Sequence, residues 1–372
     1  MTYANKMRKQ PPQKLELLES LRGIAALLIV TFHAAELFTL KFDQPFLLSL
    51  FDFGDSGVDF FFVLSGFFLA LSSFKYMGHR HTAKAFLIKR CVRIYPLYWL
   101  LSLCVIPVYF LVPSFGKGHE QDIGVIIKSL LLIPQEHPPI LSVAWFLSHL
   151  VLFYLAFTTV ILLPKVASKL ILAGLSVSAV FMLTDILSGF QLRNNNHFLL
   201  NFIFSYYNFE FAGGWLIGIF FRRIQLKKSV SLWILLTGCC TFMMSGLLDV
   251  YILQTSANNS GFAHYYEFVA YGLSSILIVG GAAFLEKDHK LSVSKGFVVL
   301  GTASFSIYLT HYLILSIFTK VIQVIGINSI GFYTIGMMLA CVATVLIGCI
   351  IHFYVEKRLA SIFKNRLMYK RA

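Results

Sequence analysis

Long apolar runs alternate with short polar ones along the whole 372-residue chain. A helix that crosses a bilayer needs about 20 mostly apolar residues. Ten stretches meet that requirement: 21–40, 57–73, 94–112, 142–163, 169–188, 202–221, 230–251, 264–285, 298–321 and 330–354. The pattern therefore predicts an all-α, polytopic membrane protein of about ten transmembrane helices. One further apolar run, 123–133, is too short to span and lies between Asp122 and the proline-containing stretch Pro134–Pro139. It is expected to be an interfacial or re-entrant piece. No internal repeat, low-complexity tract or appended soluble domain is visible. The expected layout is a cytoplasmic segment over 1–20, a transmembrane domain over 21–355 and a basic cytoplasmic tail over 356–372.

Composition supports this pattern. Hydrophobic residues make up 58 % of the chain and charged ones 13 %, with 37 phenylalanines. Soluble domains carry about 25 % charged residues, so a soluble globular enzyme is excluded. Disorder is excluded by the high hydrophobicity. A net charge of +14 can signal nucleic acid, but with so few polar residues the bilayer is the better partner and no nucleic acid is expected. The charge instead reports threading, because cytoplasmic loops hold the excess of Lys and Arg. With the N-terminus inside, all 31 basic residues but Lys41, Lys117, Lys128, Arg193 and Lys320 fall on the cytoplasmic side. Both termini are thus expected in the cytoplasm. Residues 1–20 are too polar for a secretory signal, so the first helix is read as an uncleaved anchor. The six cysteines lie in or beside apolar helices with neither zinc nor disulfide spacing.

Ionisable groups inside a membrane cost about 2.5–3.5 kcal/mol each on insertion scales, so each marks a candidate site. They are Arg22, His33, Glu36, Asp59, His149, Asp185, Glu210, Asp249, Glu267, His311 and His352. Arg22 and His33 are eleven residues apart, three helical turns plus about 20°, which puts them on one face with about 16 Å between them along the axis. A long ligand with a polyanionic head and a reactive tail fits that pair. A snorkelling Arg and a His bonded to a neighbouring helix fit it equally well. Arg90 and Arg93, three apart, open the third helix and form either a bidentate phosphate site or ordinary positive-inside charge. Counted from helix ends, Asp59, His149, Asp185, Glu210 and Glu267 fall in the outer half, and His311 lies at a depth close to that of His33. Glu36 can orient the His33 imidazole, although a position in outer water is the favoured reading. Asp185, Asp249 and Glu267 read as interfacial residues, and His352 as an inner-edge one.

Several segments together resemble the acyltransferase-3 family of integral membrane acyltransferases. Ser20–Leu28 running on to Phe32-His33 resembles the family's opening motif, a basic residue followed after ten others by His. Gly57–Phe67 is similar to its second-helix signature and Lys89–Trp99 to its Arg-x-x-Arg segment. Ala303–His311 resembles its late-helix motif, and Val355–Arg358 its usual ending. The matches run from residue 20 to residue 358 in the family's order. One departure is present: Trp145-Phe146-Leu147-Ser148 and Phe153-Tyr154 fit, but the acidic pair between them is replaced by Leu150 and Val151.

The resemblance implies transfer of an acyl group, usually acetyl, from cytoplasmic acetyl-CoA as donor substrate to a hydroxyl of a carbohydrate. The acceptor is expected to be a cell-surface or lipid-linked glycan such as lipopolysaccharide O-antigen or exopolysaccharide, with no metal involved. On that reading Arg22, Arg90 and Arg93 hold the coenzyme A phosphates. His33 acts as general base or acyl carrier, assisted by Asp59, Glu210 and His311. Trp145, His149 and Tyr154 line the acceptor cavity. The expected location is the bacterial inner membrane. A polytopic transporter or glycan flippase remains the alternative, although no transporter-like repeat is seen.

Overall fold

The computed structural model describes residues 14–73, 76, 79–190, 198–253, 265–289, 291–327 and 329–368. Among the described residues helix is the only regular secondary structure. In chain order the helices are α1 (Glu16–Phe42), α2 (Gly57–Ser73), α3 (Ala83–Leu111), α4 (Ile123–Leu130) and α5 (Trp145–Leu162). They continue as α6 (Pro164–Leu187), α7 (Phe198–Ile203), α8 (Tyr207–Arg223), α9 (Lys228–Leu248) and α10 (Leu273–Asp288). The last three are α11 (Lys295–Ile325), α12 (Ile330–Ile351) and α13 (Lys357–Met368). Single π-helical turns interrupt or extend three of them, at Asp249–Leu253, Phe268–Gly272 and His352–Glu356.

Helices cover all ten expected spans, but nine of them among the described residues are long and apolar enough to cross a bilayer. The exception is the expected span 202–221. There the chain breaks after Ile203 and restarts as the 17-residue α8. Asn208 in the first turn of α8 turns back and donates to the Ile203 carbonyl at 2.8 Å, satisfying an end that a continuous helix would have satisfied itself. The first helix also begins earlier than the hydropathy suggests. Glu286, at the end of α10, accepts from the Leu17 amide at 2.7 Å and the Leu18 amide at 3.2 Å, so α1 starts at Glu16.

The short apolar run becomes α4, capped by Asp122, whose carboxylate accepts from the Val125 amide at 2.8 Å. Gln121, just before it, donates to the Tyr109 carbonyl. At its other end the side chains of Tyr98, Trp99 and Tyr95 hold the carbonyls of Ser129, Leu130 and Leu131. The segment therefore runs back alongside α3 as a re-entrant piece, with Ile123 and Ile127 exposed.

Lipid tails are as apolar as leucine, so membrane helices associate through close packing rather than hydrophobic drive. The most extensive pairs are α1 with α11, α2 with α8, α9 with α10 and α11 with α12. Glycine makes the first two possible. A Cβ on Gly301 would overlap the Glu19 carbonyl of α1, and one on Gly214 of α8 would overlap the Val63 carbonyl of α2. Pairing of Gly57 with the Ala25 carbonyl also places the start of α2 beside the middle of α1. The chain from Phe46 to Ser56 thus dips inward before α2 begins.

The substitution Gly301→Leu drives a branched side chain into the α1 backbone and is expected to cost about 3 kcal/mol or prevent folding. Gly296→Ala, at a position with only Ser294 Oγ nearby at 3.8 Å, is expected to leave thermal unfolding in detergent unchanged. A Gly301→Leu protein that melts at the native temperature contradicts this packing.

Candidate active site

The parallel pair α1 and α11 carries the centre of the site. The Gly23–Gly301 contact fixes their axial register. In that register His33 meets His311, ring centroids 5.0 Å apart, and the edge of Tyr312 at 5.2 Å. His33 also makes a 2.8 Å contact from Nδ1 to Oε2 of Glu36. A carboxylate only accepts, so Nδ1 carries the hydrogen and Nε2 keeps its lone pair. Glu36 therefore holds the imidazole while its side chain stays exposed, so it orients His33 and keeps the solvent-accessible position favoured from the sequence. His311 is likewise fixed: its Nδ1 donates to the Tyr308 carbonyl at 2.5 Å, and its Nε2 is buried without a protein partner.

His33 and Glu36 line a cavity of about 490 Å³ beneath the 133–139 loop. Trp145, His149, Tyr207 and Tyr312 form its aromatic wall, and Asn201 and Ser205 add hydrogen-bonding groups. Trp145 and His149 thus line one cavity with His33. Lys117, one of the few basic residues assigned to the outer side, is also on its rim.

Tyr154 is not there. It lies two turns further along α5 and lines a second cavity of about 60 Å³ with Arg22, Arg90 and Arg93. The depth of a residue counted along one helix does not tell which neighbour it faces, and Tyr154 faces Arg90. Arg90 is buried, bonded to the Ser72 hydroxyl, with its guanidinium 5.3 Å from the Phe86 ring and 5.5 Å from that of Tyr154. Planar guanidinium stacks on rings while presenting its edge, which orients it. Arg93 is exposed, and Arg22 forms an ion pair with Glu19 at 3.6 Å. Three guanidiniums from two helices thus converge on one cavity, so positive charge is in excess. Ser65 and Ser304 add hydroxyls to the same walls.

Asp59 and Glu210 come together, but elsewhere. Both are buried, within hydrogen-bond reach of each other across α2 and α8, and neither lines the His33 cavity. Gly272 in a π turn makes room for Glu210, since a Cβ there would sit 2.7 Å from its Oε1. Counting residues from the helix end placed Asp59 in the outer half. The inward dip before α2 carries it to the middle of α1 instead.

The remaining buried ionisable groups are tied to tyrosines or to each other. Tyr265 donates to Asp185 at 2.7 Å, Tyr271 to Asp249 at 3.1 Å and Tyr206 to Glu267 at 3.1 Å. At the end of α12, Glu356 accepts from His352 Nδ1 at 2.7 Å and from the Ser306 hydroxyl at 2.6 Å. That joins the last sequence motif to the late-helix one.

Sequence comparison gives the family. A profile described as "Acyltransferase domain" matches residues 16–352. The "Exopolysaccharide production protein ExoZ" of Rhizobium meliloti is 25 % identical over 338 residues, covering 88 % of this chain and 93 % of that protein. "Protein 2 in picA locus" of Rhizobium radiobacter is 37 % identical over 106 residues, covering 28 % of this chain and 50 % of that protein. No solved structure matches significantly.

The two neighbouring arginines differ in burial, which predicts different consequences for stability. Arg90→Ala removes a buried, stacked and hydrogen-bonded cation and is expected to destabilise by about 2 kcal/mol, whereas exposed Arg93→Ala stays within about 0.5 kcal/mol. Equal melting temperatures for the two variants in detergent would show that Arg90 is not held as described.

Proposed function

The chain belongs to the acyltransferase-domain family, a polytopic membrane family by its helices, and from that premise we propose that it moves an acetyl or other short acyl group from cytoplasmic acyl-CoA to a hydroxyl of a cell-surface or lipid-linked glycan of the exopolysaccharide kind. The observation that carries this reading is the two-ended arrangement along α1. A cluster of three arginines sits at one end, and a histidine with an oriented imidazole sits about 16 Å along the same face. The exopolysaccharide role in the name of the Rhizobium meliloti relative supports a glycan acceptor.

In this mechanism Arg22 and Arg93 receive the phosphates of coenzyme A, with Arg90 fixed behind them by Ser72, Phe86 and Tyr154. The acyl-bearing arm extends along α1 toward His33. An acceptor sugar enters the larger cavity against Trp145 and Tyr207, whose rings offer an apolar face to a pyranose. Nε2 of His33 removes the hydroxyl proton as the oxygen attacks the thioester carbonyl. Glu36 stabilises the imidazolium through Nδ1–H. The tetrahedral intermediate then collapses, expelling the thiolate, which takes the proton from His33 Nε2. The products are an O-acyl glycan and free coenzyme A, with no net proton change. His311, fixed by its bond to the Tyr308 carbonyl, packs against the His33 ring and keeps it in place. Asp59 and Glu210 act on helix packing rather than on the reacting atoms, since neither lines the cavity.

Purified protein given labelled acetyl-CoA and a glycan extract is expected to move label into glycan. Glycan movement across a vesicle membrane without label transfer would favour a transporter or flippase instead. His33→Ala is expected to lower transfer by at least about 1,000-fold while the protein stays folded, and retained activity sinks the mechanism. Glu36→Gln is expected to lower kcat by about 100-fold with the acyl-CoA KM unchanged. Arg22→Ala combined with Arg93→Ala is expected to raise that KM by about tenfold or more. An unaltered acyl-CoA dependence would remove the arginines from the donor site.

A further inference from the structure

A third cavity lies outside both ends of the proposed reaction path. It is an apolar groove of about 320 Å³ between α5, α6 and α8, walled by Phe153, Phe157, Leu175, Phe211 and Trp215. The span α6 stands away from the bundle: most of its residues are exposed, and its packing is chiefly against α5. The helices that flank the gap, α5 and α6, are both long and apolar enough to cross a bilayer, so a hydrocarbon chain is the occupant its walls suit. Its polar side chains include Asn208, at the break between α7 and α8, with its amide spent on Ser178 and the Ile203 carbonyl, and Thr159, whose hydroxyl is spent on the Leu155 carbonyl.

The groove and the His33 cavity are neighbours along both of their shared walls. On α5, Ser148 and His149 face the cavity, and Leu152 and Phe153, one turn on, face the groove. On the opposite wall Phe202, Ser205 and Tyr207 face the cavity, while Ile203, Phe204 and Asn208 face the groove. The partition is a ring contact between His149 and Phe202, centroids 3.9 Å apart. A chain lying in the groove therefore places whatever it carries beside His149, in the acceptor cavity. An ordinary phospholipid there would fill that cavity with its headgroup and exclude the sugar.

We propose that this groove binds the hydrocarbon tail of a lipid-linked glycan, so that the acceptor is presented from the bilayer rather than as a free polymer. The proposal rests on the acyltransferase reading for its purpose, but the groove's occupancy can be measured without it.

The full chain is reconstituted in phosphatidylcholine nanodiscs with either of two photoreactive probes. One is a long-chain polyprenyl phosphate with a diazirine in its tail, the other a phosphatidylcholine with a diazirine in its acyl chain. The polyprenyl probe is expected to label residues 152–160 and 203–215 and to be displaced at least fivefold by unlabelled polyprenyl phosphate. The phosphatidylcholine probe is expected to label the groove no more than the outer face of α9. Gly174→Phe narrows the groove at a glycine with open space around its Cβ position, so the variant is expected to fold. It should cut polyprenyl labelling and raise the KM for polyprenyl-linked glycan about tenfold, with the acyl-CoA KM unchanged. Equal labelling by phosphatidylcholine, labelling that the competitor does not reduce, or equal use of the same glycan without its lipid overturns the proposal. Native protein that is labelled but transfers no acyl group overturns the acyltransferase reading alone. Native protein that transfers acyl groups but takes no label overturns the groove alone.

Discussion

Two parallel helices can hold matching groups at matching depths only if they cannot slide past each other. In this protein that constraint is the backbone contact between α1 and α11. Gly301 sits where a side chain would overlap the Glu19 carbonyl, and Gly23 packs against Leu300 and the Gly301 amide. The same sequence offset that sets Gly301 against Gly23 sets His311 against His33. Ser304, about one turn beyond Gly301, lines the arginine cavity together with Arg22. A slip of one helical turn, about 5.4 Å, would separate the imidazoles and break both cavities at once. Close packing of small residues is the interaction available for this purpose, because burial of apolar surface does not discriminate one register from another in lipid.

Once the register is fixed, many of the ionisable side chains that enter the core are matched by a neighbour. Tyrosines hold Asp185, Asp249 and Glu267. Glu286 spends its carboxylate on the exposed amides at the start of α1, and Glu356 on Ser306 and His352. Arg90 is enclosed by two aromatic rings and a serine. Against that background, the groups left open stand out. Among the described residues they include the Nε2 atoms of His149, His311 and His352, one oxygen of Asp59 and both carboxylate oxygens of Glu210, and of these His311 packs on His33 and His149 lines the same cavity. An unmatched group in lipid costs free energy, so its retention is best explained by a ligand that completes it.

Much of this was legible in the sequence because membrane burial writes strong signals. The apolar runs locate every span, and eleven-residue spacing puts Arg22 and His33 on one face whatever surrounds them. What failed was any inference that needed a second helix. Asp59 was placed by counting from the end of its own helix, but the chain dips inward before α2 and sets Gly57, two residues ahead of it, beside Ala25. Tyr154 shares α5 with Trp145 and His149 yet turns to Arg90, because two helical turns of rise carry it past the aromatic wall. Glu36 was legible in principle: a carboxylate three residues after a histidine can always reach Nδ1. In the structure it does so while remaining exposed, so the two readings of Glu36 are compatible. The break at 204–206 was hidden, since Phe204 and Tyr206 keep the run apolar while the backbone turns.

The two cavities do not merge. Phe61, Phe146 and Tyr308 stand between the arginines and His33, each ring about 6 Å from the others. Tyr308 is latched through its hydroxyl to the Val143 carbonyl at 2.6 Å, and Val143 belongs to the wall of the outer cavity. A donor held by its phosphates at one end and an acceptor at the other must therefore meet through this cluster. For the proposed reaction that barrier is an asset. Water on either side of the bilayer would compete with the sugar hydroxyl for the thioester, and an open channel would also leak ions. Aromatic rings seal the path by packing alone, and one hydroxyl sets their resting position. The narrow, flexible arm of an acyl-CoA is the part of that donor thin enough to part the rings. Separation by a packed aromatic cluster thus explains how one protein can draw a soluble donor from one side and an acceptor from the other while keeping both away from bulk water.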